Sequence, residues 1–272
     1  MRLKEIITGQ QDLLRTDIMA AISFACKLSI EQIYSNMDRQ LTGEDLAIIE
    51  RCLEQRRRGK PLAYITGKRE FYSENFIVDA NVLIPRPETE TLVEEAIALI
   101  GKRQDAVILD VGTGSGAIGI ILAKHTGSRV ICTDISPDAL RIASYNARSI
   151  GVDHLVHFVC SDLLDSFRVN SRFDLIAANL PYVATDEWDD LMTDVKNYEP
   201  RRALNGGKDG MEIYRRLIPQ LHRCLAIEGH VLLEIGSARQ ADEISTIFKE
   251  TGWQSRLLYD YSGRERVIAG HG

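Results

Sequence analysis

Residues 107–120 read "VILDVGTGSGAIGI": a short aliphatic run, a turn with glycines at 112, 114 and 116, and the start of a second apolar run. The pattern suits a buried strand that turns directly into a helix. Glycines in such a turn let backbone N–H groups approach a ligand closely, at the positive end of the helix that follows. The spacing differs from the dinucleotide fingerprint, whose third glycine falls later and whose turn cradles a pyrophosphate. Asp134 ends the next strand in "RVICTDIS". A carboxylate there can accept both hydroxyls of a ribose; its other available task is to cap the helix opening at Ser136-Pro137. Asp162, in "VCSDLL" after the third strand, stands where a contact to an adenine amine falls, and serves equally well as a turn aspartate.

Outward from this turn the chain alternates between strand and helix. Strands are expected at Ala106–Asp110, Arg129–Asp134, Leu155–Cys160 and Phe173–Ala178, with helices near 116–125 and 137–150 between the first three. Three more strands are expected at His230–Ile235, Trp253–Leu258 and Glu265–Ala269, with helices near 211–225 and 239–250. Such alternation implies a mostly parallel sheet covered on both faces. Only "YDYSG" joins the last two strands, too short for a parallel crossover, so they are expected to pair antiparallel.

Before residue 89 the texture is helical. Leu3, Ile6, Ile7, Leu13 and Leu14 suggest a first helix, and Asp17 is placed to cap a second through Ile18, Ile22 and Ala25. In "LTGEDLAIIERCLEQRRRGKP", Thr42 caps, Asp45 takes the third helical position, and Leu46, Ile49 and Leu53 share a face. Gly59 and Pro61 stop that helix. Arg56-Arg57-Arg58 read as a solvated helix end at the negative pole of the dipole. Residues 68–84 read as a β-hairpin with Phe71, Phe76, Val78 and Val82 in alternation. The expected division is a helical domain at 1–67, a hairpin linker at 68–88 and an α/β domain at 89–272.

The composition narrows the function. A chain of 272 residues, 44% of them hydrophobic, can bury a full core. Its formal net charge of -6 argues against a nucleic-acid binder, which usually shows a basic face. The cysteines (26, 52, 132, 160 and 224) have no CxxC spacing and the histidines form no HExxH cluster, so neither a zinc site nor a disulfide framework is indicated. "MRLKEIITGQQDLLRT" lacks the apolar stretch of a signal peptide, and no segment approaches a membrane span. A reduced, cytoplasmic protein without a membrane partner is expected.

"AANLPYVA", residues 177–184, follows the fourth strand at the rim where α/β proteins bind ligands. Asn179 brings an amide with both a donor and an acceptor, and Tyr182 a flat aromatic face. Pro181 stiffens the turn and pushes Leu180 out of the helical region. Asn and Pro are also ordinary choices for a strand-ending turn.

A turn like "DVGTGSG" with a strand-end acid resembles the S-adenosylmethionine site of class I methyltransferases. The resemblance implies cofactor contacts from Gly112, Thr113, Gly114, Ser115, Gly116, Asp134, Asp162 and Leu163, with Asn179 beside the reactive end. "NLPY" is similar to the (Asn/Asp/Ser)-Pro-Pro-(Tyr/Phe) loop of amino-methyltransferases. The linker "GKPLAYITGKREFYSENFIVDANVLIPRPETETLVEEA" and the later segment "YEPRRALNGGKDGMEIYRRLI" resemble those of the HemK/PrmC family, the peptide chain release factor glutamine methyltransferases.

That resemblance covers essentially the whole chain. It implies an α/β protein: a seven-stranded, doubly wound Rossmann-like sheet with a small N-terminal helical domain that helps grip the release factor. The implied cofactor is S-adenosylmethionine and the implied substrate is the glutamine of the release factors' Gly-Gly-Gln motif; a monomer without a direct nucleic-acid partner is expected. In the implied scheme the target amide donates its two N–H groups to the Asn179 side-chain oxygen and the Leu180 carbonyl, while Tyr182 stacks on it. Asn179, Pro181 and Tyr182 would be catalytic and, with Leu180, bind substrate, through positioning and electrostatics.

Leu180 stands where the family usually has a first proline. Its carbonyl remains, so the scheme survives with a less rigid loop, and Leu180→Pro is expected to be tolerated. Asn-Leu-Pro-Tyr is also the form in ribosomal-RNA adenine dimethyltransferases, which makes methylation of rRNA adenine the alternative; those enzymes resemble this chain only around the cofactor and loop. In "IPRPETE", Pro85 and Pro87 make a stiff connector and Glu88 and Glu90 suit a helix start. For Arg86 and Glu90 that structural role and a contact with cofactor or substrate both stay open.

Overall fold

In the computed structural model, which describes residues 1–10, 12–101, 103, 105–168 and 171–272, the chain separates into two compact units. The first is Met1–Lys68 together with Met192–Tyr198; the second is Arg69–Leu191 together with Glu199–Gly272. Among the described residues no helix is long and apolar enough to cross a membrane.

The first unit holds α1 (Leu3–Gly9), α2 (Arg15–Cys26), α3 (Ile30–Ser35), α4 (Gly43–Arg57) and α5 (Leu62–Thr66). Leu3, Ile18, Ile22, Ile33, Ile49 and Leu53 form its core, and Leu46 packs against them half-buried. Thr42 and Asp45 make the expected capping box on α4: each side chain accepts the other's backbone N–H, at 3.0 and 3.1 Å. Two expectations are corrected here. Leu13 and Leu14 lie outside α1, which ends at Gly9, and α2 is capped at Leu14 by backbone alone. Asp17 sits inside the first turn of α2, buried, and accepts a hydrogen bond from Arg56 Nε at 2.8 Å. The arginine run is therefore not simply solvated: Arg56 neutralises a shielded carboxylate, while Arg57 pairs with Asp12 and Arg58 with Glu54 at the surface. The surface pairs are screened by water and contribute little. Losing Arg56 would strand a shielded charge and cost more.

The second unit opens with a two-stranded hairpin, β1 (Lys68–Phe71) and β2 (Glu74–Ile77). Its two-residue turn, Tyr72-Ser73, has φ of 51° and 62°, the left-handed pair whose twist matches that of the strands. Strand pairing stops at Ile77, short of the expected residue 84; Val78 and Val82 are buried without a ladder. After α6 (Glu90–Ile100) come β3 (Val107–Val111), α7 (Ala117–Thr126), β4 (Arg129–Asp134), α8 (Pro137–Ile150), β5 (Val156–Cys160) and β6 (Phe173–Ala178). Helix α9 (Thr193–Tyr198) belongs to the first unit. The chain ends with α10 (Glu212–Cys224), β7 (Leu225–Glu234), α11 (Ala238–Glu250), β8 (Gln254–Tyr259) and β9 (Glu265–His271).

The large sheet has seven strands in the order β5-β4-β3-β6-β7-β9-β8. β5 through β7 run parallel, and β9 pairs antiparallel with both β7 and β8, as the short "YDYSG" connection requires. Strand alternation divides the core between two faces. Ile108, Leu175 and Leu232 pack with α6 and α7; their neighbours Leu109, Ile176 and Leu233 pack with residues of α10 and α11. β7 begins at Leu225, five residues before the expected His230; its first half is partly solvated, and Glu228-Gly229 interrupt the apolar run there. The strand order reverses about β3, which has β4 on one side and β6 on the other. A doubly wound sheet binds ligands outside the carboxyl ends of the strands at such a point.

Candidate active site

Beyond those ends lies a cavity of about 400 Å³, within the range of small-molecule sites. Gly112, Gly114 and Gly116 have φ of 73°, 55° and 86°, so the β3–α7 turn needs the left-handed region at each. The N–H groups of Gly112 and Thr113 both donate to the Thr133 carbonyl (2.9 and 2.8 Å), tying the turn to β4. Gly116 does not line the cavity; a side chain there would strike Ile120 and Ala143, so it lets α7 and α8 approach. Asp110 is fully buried beneath the turn, accepting from Thr113 Oγ1 (2.6 Å) and from Gly119 N–H (2.9 Å) at the start of α7. Burial pushes its pKa up to about 6 against the pull of those bonds. Asp110 escaped the sequence analysis, since in sequence it is one more strand residue.

Asp134 faces the cavity, while the helix-capping task weighed for it falls to Ser136. One carboxylate oxygen accepts from Gly114 N–H (2.9 Å) and the other from Ser136 N–H (2.8 Å), while the Ser136 hydroxyl caps α8. Each carboxylate oxygen keeps a lone pair for a ligand. Burial raises its pKa, and the backbone N–H bonds oppose that rise. Asp162 and Leu163 line the same wall; Asp162 also accepts a hydrogen bond from Arg216 (2.6 Å), and Leu163 has φ of 49°.

Asn179, Leu180 and Pro181 reach the cavity from the end of β6. Asn179 Nδ2 donates to Thr89 Oγ1 at 3.1 Å, which leaves Oδ1 as the free polar atom of that amide. Leu180 is only 4% exposed, and its Cδ2 lies 2.8 Å from where a side chain on Gly112 would begin. The position thus supplies packing as well as a carbonyl, beyond what the sequence suggests. Tyr182 is not among the lining residues. Its ring covers Gly236, and burial, with Glu234 nearby, lifts its hydroxyl pKa to about 12.

The loop is held from distant parts of the chain. Gln240 Nε2 donates to the Tyr182 and Gly210 carbonyls (2.8 and 3.2 Å), and its Oε1 accepts from Gly236 N–H (2.8 Å). Val183 and Gly206 bridge back and forth between the loop and the "NGGKDG" stretch. A Cβ on Gly206 would stand 2.7 Å from the Pro181 carbonyl and 2.8 Å from Tyr182 Cα, both backbone atoms that cannot swing away. These glycines make room for the loop.

"IPRPETE" resolves into structural pairs and three residues that line the cavity, Pro85, Arg86 and Thr89. Arg86 lines the cavity and is ion-paired with the buried Glu199, which also accepts from Ile84 N–H (3.1 Å). Glu90 accepts from Tyr72 N–H (3.0 Å). Thr89, passed over between two glutamates, is the residue that touches Asn179.

Family comparison agrees with this geometry. A model described as a methyltransferase domain matches residues 108–198, and one described as the PrmC N-terminal domain matches residues 9–67. The release factor glutamine methyltransferase of Koribacter versatilis is 38% identical over 259 residues, 94% of this chain and 90% of that protein. Its namesake in Moorella thermoacetica is 35% identical over 269 residues, covering 98% and 94%. Among solved structures, the ribosomal protein L11 methylase of Lactobacillus delbrueckii subsp. bulgaricus shares the fold, with a TM-score of 0.52 at 24% identity over 74% of this chain and 88% of that one.

Proposed function

The chain belongs to the release factor glutamine methyltransferase family, and on that premise we propose that it methylates the side-chain amide nitrogen of the glutamine in the Gly-Gly-Gln motif of peptide chain release factors. It is an S-adenosylmethionine-dependent methyltransferase. The cavity fits that molecule. Gly114 and Asp134 leave an open backbone edge beside a carboxylate with spare lone pairs, suited to a ribose, and Asp162 and Leu163 continue the wall where an adenine would lie. When bound, S-adenosylmethionine supplies a methyl group on a positively charged sulfur.

One observation carries the choice of acceptor: Asn179 is held by its nitrogen and presents its oxygen. An oxygen acceptor beside the Leu180 carbonyl suits a group with two N–H donors, such as a primary amide. Taking both protons in hydrogen bonds orients the amide and opposes delocalisation of its lone pair, which is electrostatic positioning without a covalent intermediate. Pro181 stiffens the loop, and Tyr182 supports it from behind, its ring packed on Gly236 outside the cavity lining and not placed to stack on a bound amide. The first unit, with its own core and matching the PrmC N-terminal model, is proposed to grip the release factor.

The test is methyl transfer from labelled S-adenosylmethionine to purified release factor. Label is expected in wild-type factor and absent when the motif glutamine is changed to alanine. Label persisting in that control would overturn the assigned acceptor.

A further inference from the structure

We infer that Arg86, held in place by the buried Glu199, binds the carboxylate of the methionyl tail of S-adenosylmethionine. The assignment rests on Asn179 facing the transferred methyl group and is independent of which amide receives it. On the cofactor's sulfur the ribose, the methyl group and the methionyl tail leave along separate bonds. With the ribose at Asp134 and the methyl group at Asn179, the tail must fill the remaining space beside Asn179. It carries an ammonium and a carboxylate, and a carboxylate withdrawn from water needs a cation or several N–H donors.

The glycine turn has spent most of its donors within the protein. The N–H groups of Gly112 and Thr113 go to the Thr133 carbonyl, that of Gly116 to the Thr113 carbonyl and that of Gly114 to Asp134. The cations among the described lining residues are four arginines, at 86, 201, 202 and 216. Arg216 is paired with Asp162 at 2.6 Å, on the wall assigned to the adenine. Arg202 interacts electrostatically with Asp134, and Arg201 lays its guanidinium 4.9 Å from the centre of the Trp188 ring. Arg86 belongs to the turn that carries Thr89. The Thr89 N–H donates to the Arg86 carbonyl at 3.1 Å, and the Thr89 hydroxyl oxygen accepts from Asn179. That turn puts Arg86 beside the tail.

The ion pair gives this long side chain one orientation. The Glu199 side chain is 1% exposed; one oxygen accepts from Arg86 Nη2 and the other from Ile84 N–H at 3.1 Å. A carboxylate so enclosed would be costly without its cation, so Glu199 and Arg86 hold each other. Nη1 and Nε of the guanidinium carry further N–H groups in the same plane, the fork that recognises a carboxylate. Arg86 then stands between two carboxylates, and the ammonium of the tail balances the second negative charge.

The test is calorimetry on the full chain with S-adenosylhomocysteine and with its decarboxylated analogue, which lacks only the carboxylate. The wild type should bind the analogue about 10- to 100-fold more weakly, the scale of hydrogen bonds to a charged group. Arg86→Ala alone would strand Glu199, so the double variant Arg86→Met/Glu199→Gln removes both charges together. In it S-adenosylhomocysteine should weaken to the level of the analogue. The analogue itself should bind as it does to the wild type, which shows that the cavity has kept its form. Arg86→Lys, with the charge but not the fork, should fall between. Equal wild-type affinity for the two ligands, discrimination surviving in the double variant, or an equal loss for both ligands would each overturn the assignment. So would unchanged affinities with a raised KM for release factor, which would put Arg86 on the protein substrate. The binding measurements involve no methyl acceptor, so a wrong choice of glutamine would leave their result standing.

Discussion

The contacts that hold Asp134 in the cavity wall are short-range in sequence. Asp134 accepts from Gly114, 20 residues back, and Ser136, two residues on. At the Asn179 end they are long-range: Thr89 lies 90 residues from Asn179, and Gln240 lies 58 residues from Tyr182. One end is built by a single strand–turn–helix unit and its neighbour strand. The other exists only once four distant segments have docked on the sheet. Binding should therefore be the robust property of this enzyme, and catalytic alignment the fragile one.

The largest expected effect breaks the two ends apart. Asn179→Ala should lower kcat on release factor by roughly 10²–10³, the scale for one preorganised polar contact, while S-adenosylhomocysteine affinity changes far less. Equal losses in calorimetry and kinetics would mean that the two ends are one site and cannot be separated.

Next comes Gly206→Ala, which inserts a methyl group against the Pro181 and Tyr182 backbone without touching cavity or cofactor. Displacing the loop by even an ångström should cost about 10² in kcat. Unchanged turnover would show that the loop adapts and that the long-range scaffold matters less than its contacts suggest.

Asp134→Ala sharpens the opposite end. Losing hydrogen bonds to a charged group should weaken S-adenosylmethionine binding by about 1.5–3 kcal/mol, read by calorimetry, with a smaller effect on kcat at saturation. Unaltered affinity would remove Asp134 from the cofactor wall.

The smallest effect is expected from Leu180→Pro. The carbonyl stays, but the buried contact over Gly112 is trimmed, so about 1–2 kcal/mol of stability should be lost in thermal unfolding. Turnover should fall no more than a few-fold. Abolished methylation in a folded variant would show that position 180 needs its N–H or its side chain, and the amide clamp would have to be given up.

The same division explains what could be read from the amino acids alone. The turn glycines, Asp134 and the strand–helix alternation announce themselves because period and spacing are local properties. The seven strands and their antiparallel finish follow from that alternation and from the length of "YDYSG". Thr89 and Gln240 do not announce themselves. Each is an ordinary residue at a helix start or on a helix, and its importance comes from which backbone or amide it meets across the fold. "IPRPETE" and "NGGKDG" were visible as unusual stretches, yet nothing in them says that Thr89 faces Asn179 or that Gly206 faces the Pro181 carbonyl. Asp17 misled for a related reason: its spacing fits a cap, but a partner 39 residues away claimed it.

The assignment of Met192–Tyr198 to the first unit has a consequence for how such proteins can be recombined. The backbone passes between the units three times, after Lys68, Leu191 and Tyr198. Within the first unit, the Tyr198 hydroxyl donates to the Arg58 carbonyl (2.8 Å), and Asp194 stands 3.8 Å from Arg56. The heritable module is therefore discontinuous. A chimera that exchanges only residues 1–68 between relatives would join a foreign helical unit to a 192–198 helix from the other parent. A graft expected to fold as its donor did must move both segments and respect three junctions instead of one.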